Sequence, residues 1–300
     1  MTVRTRGPRT TYPLYLLPGA VAFLAVVALP FGMNVWYSLT RWQGVGTPSW
    51  AGLANYRQLI HDSQFWESFR HSLAMVLAMA VIPTVIGLVV AAALFDFVAK
   101  HYGSKPASVL RACFYLPQVL PITVAGIVWS WILAPEGGSL NALLKDVGLG
   151  SARQDWLGDP GIALYSVMAV MVWVQLGFPV VIFMSGLQRV DPALHEAAEL
   201  DGTSWWQRFW HVTLPQLRPE IYVVMLWCTI AALKVFGAVY VLTKGGPAGA
   251  TDVPSYFSFA TFFEKTQVGY GSAIATVLTL IVLALAVVGL RFQTKAEDER

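Results

Sequence analysis

The chain has 300 residues, 56% of them hydrophobic and only 12% charged, with a formal net charge of +3 and a mean hydropathy of +0.57. Charge at about half the level of an ordinary soluble domain excludes a disordered chain, a collagen-like rod, a disulfide-stapled miniprotein and the broad basic face of a nucleic-acid binder. Cys113 and Cys228 stand far apart, with no CxxC and no zinc-ligand spacing, and read as small hydrophobes.

In chain order, residues 10–40, 72–95, 112–135, 160–188 and 266–290 contain no Asp, Glu, Lys or Arg, and 221–243 contains only Lys234. A helix needs about 20 apolar residues to cross a hydrocarbon core of about 30 Å, so the six runs predict an all-α polytopic membrane protein with six transmembrane helices. None carries the polar stripe that a buried helix of a soluble protein would show. The first run is too long for a signal peptide and lacks a small-residue cleavage site, so it reads as a retained helix.

Basic residues at the span ends set orientation. The N-terminal tail (Arg4, Arg6, Arg9), the second connection (Lys100, Lys105, Arg111), the fourth (Arg189, Arg208, Arg218) and the C-terminal tail (Arg291, Lys295, Arg300) hold twelve, against seven in the other connections. Both termini are therefore expected in the cytoplasm. The first outer loop carries Trp42, Trp50, Tyr56 and Trp66, an interfacial aromatic belt. The third connection has a Gly137-Gly138 turn and an amphipathic stretch, Leu140 to Leu149; the fifth has the turn signal Gly245-Gly246-Pro247. With no internal repeat, residues 1–300 are expected to form a single transmembrane domain, with a tail at 1–13, a core at about 68–292 and an inner loop at 187–220.

The fourth connection, GLQRVDPALHEAAELDGTSWWQRFWHVTLPQLRPE, is the most informative. Asp191 and Pro192 suit an N-cap and first helical position. Leu194, Ala197, Ala198 and Asp201 share one face, and Gly202 suits a left-handed stop. Thr203 or Ser204 can cap a second helix with Trp205, Trp206, Phe209 and Trp210 on its apolar side, ended by Leu214-Pro215. Two short helices joined at a glycine read either as a docking element or as a solvated loop with a chance amphipathic turn.

The string EAAELDGTSWWQRFWHVTLPQLRP, Glu196 to Pro219, resembles the EAA motif of ATP-binding-cassette importer permeases. WAGLANYRQLI (Trp50 to Ile60), YLPQVLP followed by IVWSWILAPEGGSLNALL (Tyr115 to Leu144), DWLGDPGIAL (Asp155 to Leu164) and VYVLTKGGPAGAT (Val239 to Thr251) are similar to the carbohydrate-uptake subfamily. The GGSLN segment is similar to the longer-loop permease of a maltose-type pair. Thr203, where alanine is usual, and Lys244, where glycine is common, depart from the pattern. The resemblance implies the type I importer-permease fold, in the cytoplasmic (inner) membrane of a bacterium. It implies a coupling role for Glu196, Ala197, Ala198, Asp201, Gly202, Leu214 and Pro215, whose helix would seat in a cleft of a separate ATPase. Glu196 and Asp201 would either pair with basic groups there or act as capping or solvated residues. The implied partners are a second related permease, two ATPase subunits, an extracytoplasmic solute-binding protein, a sugar and the lipid bilayer. No phosphate-binding GxxxxGK[ST] loop is present, so no cofactor is expected on this chain, and ATP and Mg belong on the partner ATPase. The chain is expected to be a transport subunit with no enzymatic activity of its own.

Polar groups inside a membrane are costly and mark functional positions. Gln118, Thr123, Trp129, Gln175, Lys234 and Tyr240 are the substrate-path candidates. Packing contacts between helices, belt residues and a snorkelling lysine are the competing readings. Pro83, Pro117, Pro121 and Pro179 are expected to break their helices, as pore elements or plain kinks. Alternatives to a sugar are glycerol phosphate or a polyol. An ion-coupled secondary transporter would be expected to carry an acidic relay within the membrane, and Asp96 lies at the inner end of the second run rather than inside it.

Overall fold

The computed structural model describes residues 12–298. The tail arginines Arg4, Arg6 and Arg9, the terminal Arg300, and the side chains of Glu196 and Lys295 lie outside the described residues. The chain divides into two compact units, one of residues 1–61 and 258–277 and the other of 62–257 and 278–300.

In the first unit, an apolar helix, Tyr15–Ser38, is long enough to cross a membrane. Asn34 Nδ2 donates to Ser272 O (3.2 Å) and Thr276 Oγ1 (3.0 Å), joining this helix to the start of the last one. A two-stranded antiparallel pair, Thr40–Arg41 with Ser49–Trp50, interrupts the expected all-helical pattern. Buried Asn55 closes it, donating to Ser38 O and Thr40 O at 2.8 and 2.9 Å.

The second unit begins with a 36-residue helix, Ser63–Val98, which starts well before residue 72 because Asp62 Oδ1 caps Gln64 N at 2.9 Å. A broken pair follows, Lys105–Val119 and Ile122–Ile132, bent by 94° at Leu120-Pro121, where proline forces the preceding residue out of the helical region. Ser139–Asp146 forms the short helix expected after Gly137-Gly138. Ala163–Leu187 is a continuous apolar span. Pro179 does not break it, since a step at Leu176 leaves this proline in the first turn of Gly177–Leu187, where no intrahelical donor is needed. The core of this unit centres on Leu88, Ala91, Val180, Phe183, Leu187, Val224 and Cys228. A Cβ on Gly177 would lie 2.5 Å from Phe114 O and Tyr115 Cα, so only glycine allows that backbone approach.

Among the described residues, four helices are long and apolar enough to cross a membrane, and a fifth crossing is present if the bent pair counts as one span. The run 221–243, expected as a single span, is a 16-residue helix, Arg218–Leu233, and a separate short helix, Gly237–Leu242. The first piece rises about 24 Å, short of a bilayer core. The chain leaves helical geometry between Lys234 and Phe236, and the Ser255 hydroxyl donates to the carbonyl of Val235 freed there.

Wide helical turns recur two residues before a proline: Leu24–Ala28 ahead of Pro30, Leu77–Val81 ahead of Pro83, and Phe209–Thr213 ahead of Pro215. The proline ring clashes with the carbonyl four residues back, and one wider turn relieves that clash without breaking the helix. The expectation that Leu214-Pro215 ends its helix is corrected on this ground: helical backbone continues over Leu214–Gln216.

Candidate functional site

The site is built on residues 189–220. Asp191 Oδ1 accepts from Ala193 N at 2.9 Å, Pro192 occupies the first position, and the helix runs Pro192–Leu200. It ends in a paired stop: Gly202 N donates to Glu199 O (3.0 Å) and Thr203 N to Ala198 O (3.2 Å), with Gly202 at φ +72°. These are the two bonds of a Schellman motif, which satisfies carbonyls that a bare helix end leaves unpaired. Thr203 Oγ1 adds a second bond to Ala198 O at 2.6 Å.

Ser204, not Thr203, caps the next helix. Gln207 N donates to Ser204 Oγ (3.4 Å) while Ser204 N donates to Gln207 Oε1 (2.7 Å), a reciprocal capping box. Arg208 ties the two helices, donating to Thr203 O at 3.0 Å and standing 3.6 Å from Glu199 Oε1. The four aromatic residues do not share one fate. Phe209 is buried and Trp205 half-buried, while Trp206 and Trp210 are more than half exposed. Trp205 Nε1 donates to Asp96 Oδ2 at 3.0 Å, and its ring packs 5.7 Å from Phe97. Arg189 pairs with Glu220, closing the base of the segment.

Ala197, Asp201 and Gly202 are exposed and Ala198 is half-buried, so the small-residue face stays open beside Leu200, which is 90% exposed. Leu214 and Pro215 are half-buried in the following turn. The sequence reading missed Asp96 and Arg208 as the residues that fix this segment; Asp96 lies 109 positions from Trp205, and no local spacing connects them.

The substrate-path candidates are placed on several helices or at a helix end. Gln175 is buried and its Nε2 donates to Cys228 Sγ at 3.3 Å, a packing contact between helices. Gln118 Oε1 is buried without a hydrogen-bond partner. Trp129 packs edge-on to Trp173 at 5.4 Å, and Tyr240 stacks on Phe236 at 5.4 Å. Thr123 and Lys234 are exposed. Trp129 and Tyr240 lie on helices in direct contact, since a Cβ on Gly126 would lie 2.8 Å from Val241 Cγ1. A 570 Å³ cavity between the Ser63–Val98 helix, residues 160–165 and residues 247–250 is lined by Glu67, Arg70, His71 and Tyr165 and by none of the six. Among the described residues no three His, Cys, Asp or Glu cluster as metal ligands. Asn141 is a further residue the sequence reading did not single out. Buried, it donates to Pro135 O and Gln154 O and accepts from Trp156 Nε1, which fixes the loop around Ser139–Asp146.

Several long apolar helices, with a capped two-helix segment held to the end of one of them, define a membrane protein. The chain belongs to the family described as binding-protein-dependent transport system inner membrane component, whose pattern matches residues 85–296. It is 31% identical to the trehalose/maltose transport system permease protein of Thermococcus litoralis, covering 93% of this chain and 92% of that one. It is 30% identical to the diacetylchitobiose uptake system permease protein of Streptomyces coelicolor, covering 93% and 81%. Its fold matches a chain of a bacterial ABC transporter involved in the import of alginate, with TM-score 0.80, 20% identity and coverage of 95% and 96%. The fold is thus that of the type I importer permeases.

Proposed function

We propose that this chain is the permease subunit of an ATP-driven sugar importer fed by a solute-binding protein, and that the Pro192–Leu200 helix is its seat on a separate ATPase. The observation that carries the reading is the open alanine face of that helix, closed by the Gly202 stop and fixed to the second span through Trp205 and Asp96. A small-residue face lets another surface approach the backbone closely, and a fixed mount transmits displacement instead of absorbing it. The bent pair 105–132 and the interrupted pair 218–242 each cross the bilayer as a broken span, giving six crossings with both termini in the cytoplasm. ATP and Mg bind the partner, since this chain lacks a phosphate loop.

A sugar cargo is supported by the trehalose/maltose and diacetylchitobiose permeases among its relatives. A binding-protein partner is supported by the family description and by the similar fold (TM-score 0.79) of a chain in the alginate transporter solved with its pentasaccharide-bound periplasmic protein. A second permease and two ATPase subunits complete the assembly. The test is ATPase activity of the assembled transporter with sugar-loaded binding protein, with and without Ala198→Glu. Stimulation by one sugar, lost in a variant that still inserts, supports the reading. Stimulation unchanged by Ala198→Glu refutes the docking assignment.

A further inference from the structure

The longest helix of the second unit is held by side-chain contacts at both of its ends. At its inner end Asp96 Oδ2 accepts the indole N–H of Trp205, and Phe97 packs on the same ring. At its outer end Gln64 Nε2 donates to Asp252 Oδ2 at 3.0 Å, and His71 Nδ1 donates to Asp252 O at 2.9 Å. Asp252 and His71 are both buried. Asp252 also closes the turn that begins at Lys244: its N–H donates to Gly249 O, while Thr251 N donates to Gly245 O and Thr251 Oγ1 to Gly246 O. The two anchor points are separated by one helix of Ser63–Val98, about 48 Å at 1.5 Å per residue.

Resting on the docking reading above, we propose that Asp96 is a positioning residue of the transport cycle: through Trp205 it fixes the docking segment to the second span, which carries that segment's displacement to the 244–252 turn. An acceptor oxygen at this position suits the role because a hydrogen bond to an indole N–H is directional and fixes the ring's orientation. The ring contact with Phe97 alone has no donor–acceptor geometry to fix the orientation of the segment. At the far end the contacts are made by a side-chain amide and an imidazole on the same helix, so displacement of that helix moves the turn directly.

The test is hydrogen exchange of the assembled transporter in lipid nanodiscs, without and with ATP and Mg, read at residues 192–203 and at 244–252. Wild type responds to ATP in both segments. Asp96→Leu and Trp205→Phe keep the response at 192–203 and lose about fivefold or more of it at 244–252, the lower end of ordinary coupling energies. Asp96→Asn, which retains an acceptor oxygen, restores it. Gln64→Leu, which leaves only His71 on Asp252, weakens the same transmission at the opposite end. An ATP response at 244–252 that persists in Asp96→Leu, or loss of both responses in every variant including Asp96→Asn, overturns the proposal. A wild type with no ATP response at 192–203 refutes the docking reading itself and takes this proposal with it.

Discussion

Replacing Gly202 by alanine isolates the stop of the Pro192–Leu200 helix from every other effect. An added Cβ there meets nothing within 4 Å, so no clash contributes. The whole cost comes from holding an L-residue at φ +72°, about 1–2 kcal/mol. Relaxation to negative φ releases that strain only by giving up the bonds from Gly202 N to Glu199 O and from Thr203 N to Ala198 O. The formed stop therefore falls in population by roughly 5–30-fold. The assay is amide exchange at 198–204, which accelerates by that factor in Gly202→Ala, together with ATPase stimulation of the assembled transporter, which declines. Asparagine tolerates the left-handed region, so Gly202→Asn should fall between wild type and alanine. Equal exchange in the alanine and glycine proteins would refute the assignment of the stop to backbone geometry.

Gly177→Ala drives a methyl into the backbone of Phe114 and Tyr115 and should destabilise the second unit by about 1–3 kcal/mol, read as a lower thermal midpoint in detergent; Gly19→Ala, with open space around it, should not. Asn141→Leu leaves the carbonyls of Pro135 and Gln154 and the Trp156 indole without their partner, at a cost of about 1–3 kcal/mol, and should increase protease cleavage within 135–160. Gln175→Leu removes a bond to a weak sulfur acceptor, so transport KM should stay within about twofold of wild type; a large rise in KM would place Gln175 on the substrate path.

Membrane class, most span positions and the helix–glycine–helix segment were legible because each is a local property of the chain. Twenty residues without charge specify a membrane span, and Asp191-Pro192 and Gly202 specify a helix start and stop through backbone sterics. The side chains at Glu199, Arg208 and Thr203 could be read as neighbours only once the stop had folded them together. The small-residue content of the 192–200 helix was also visible, although which residues lay open was not.

What the sequence left open depends on partners far away in the chain. Pro121 marked a break, but its 94° bend is a property of how the two limbs pack, the second against Gly237–Leu242 through Gly126 and Val241. The interruption after Leu233 lies in a run that reads as one apolar span, and it is sustained because Ser255 satisfies the carbonyl of Val235. Trp205 and Phe209 were separated from Trp206 and Trp210 by the position of Phe97 and Asp96, not by helical period alone. Hydrophobicity and backbone preference act over a few residues and so are written in the sequence by itself; the pairing of a buried polar atom with its partner is decided only where tertiary packing brings the two together.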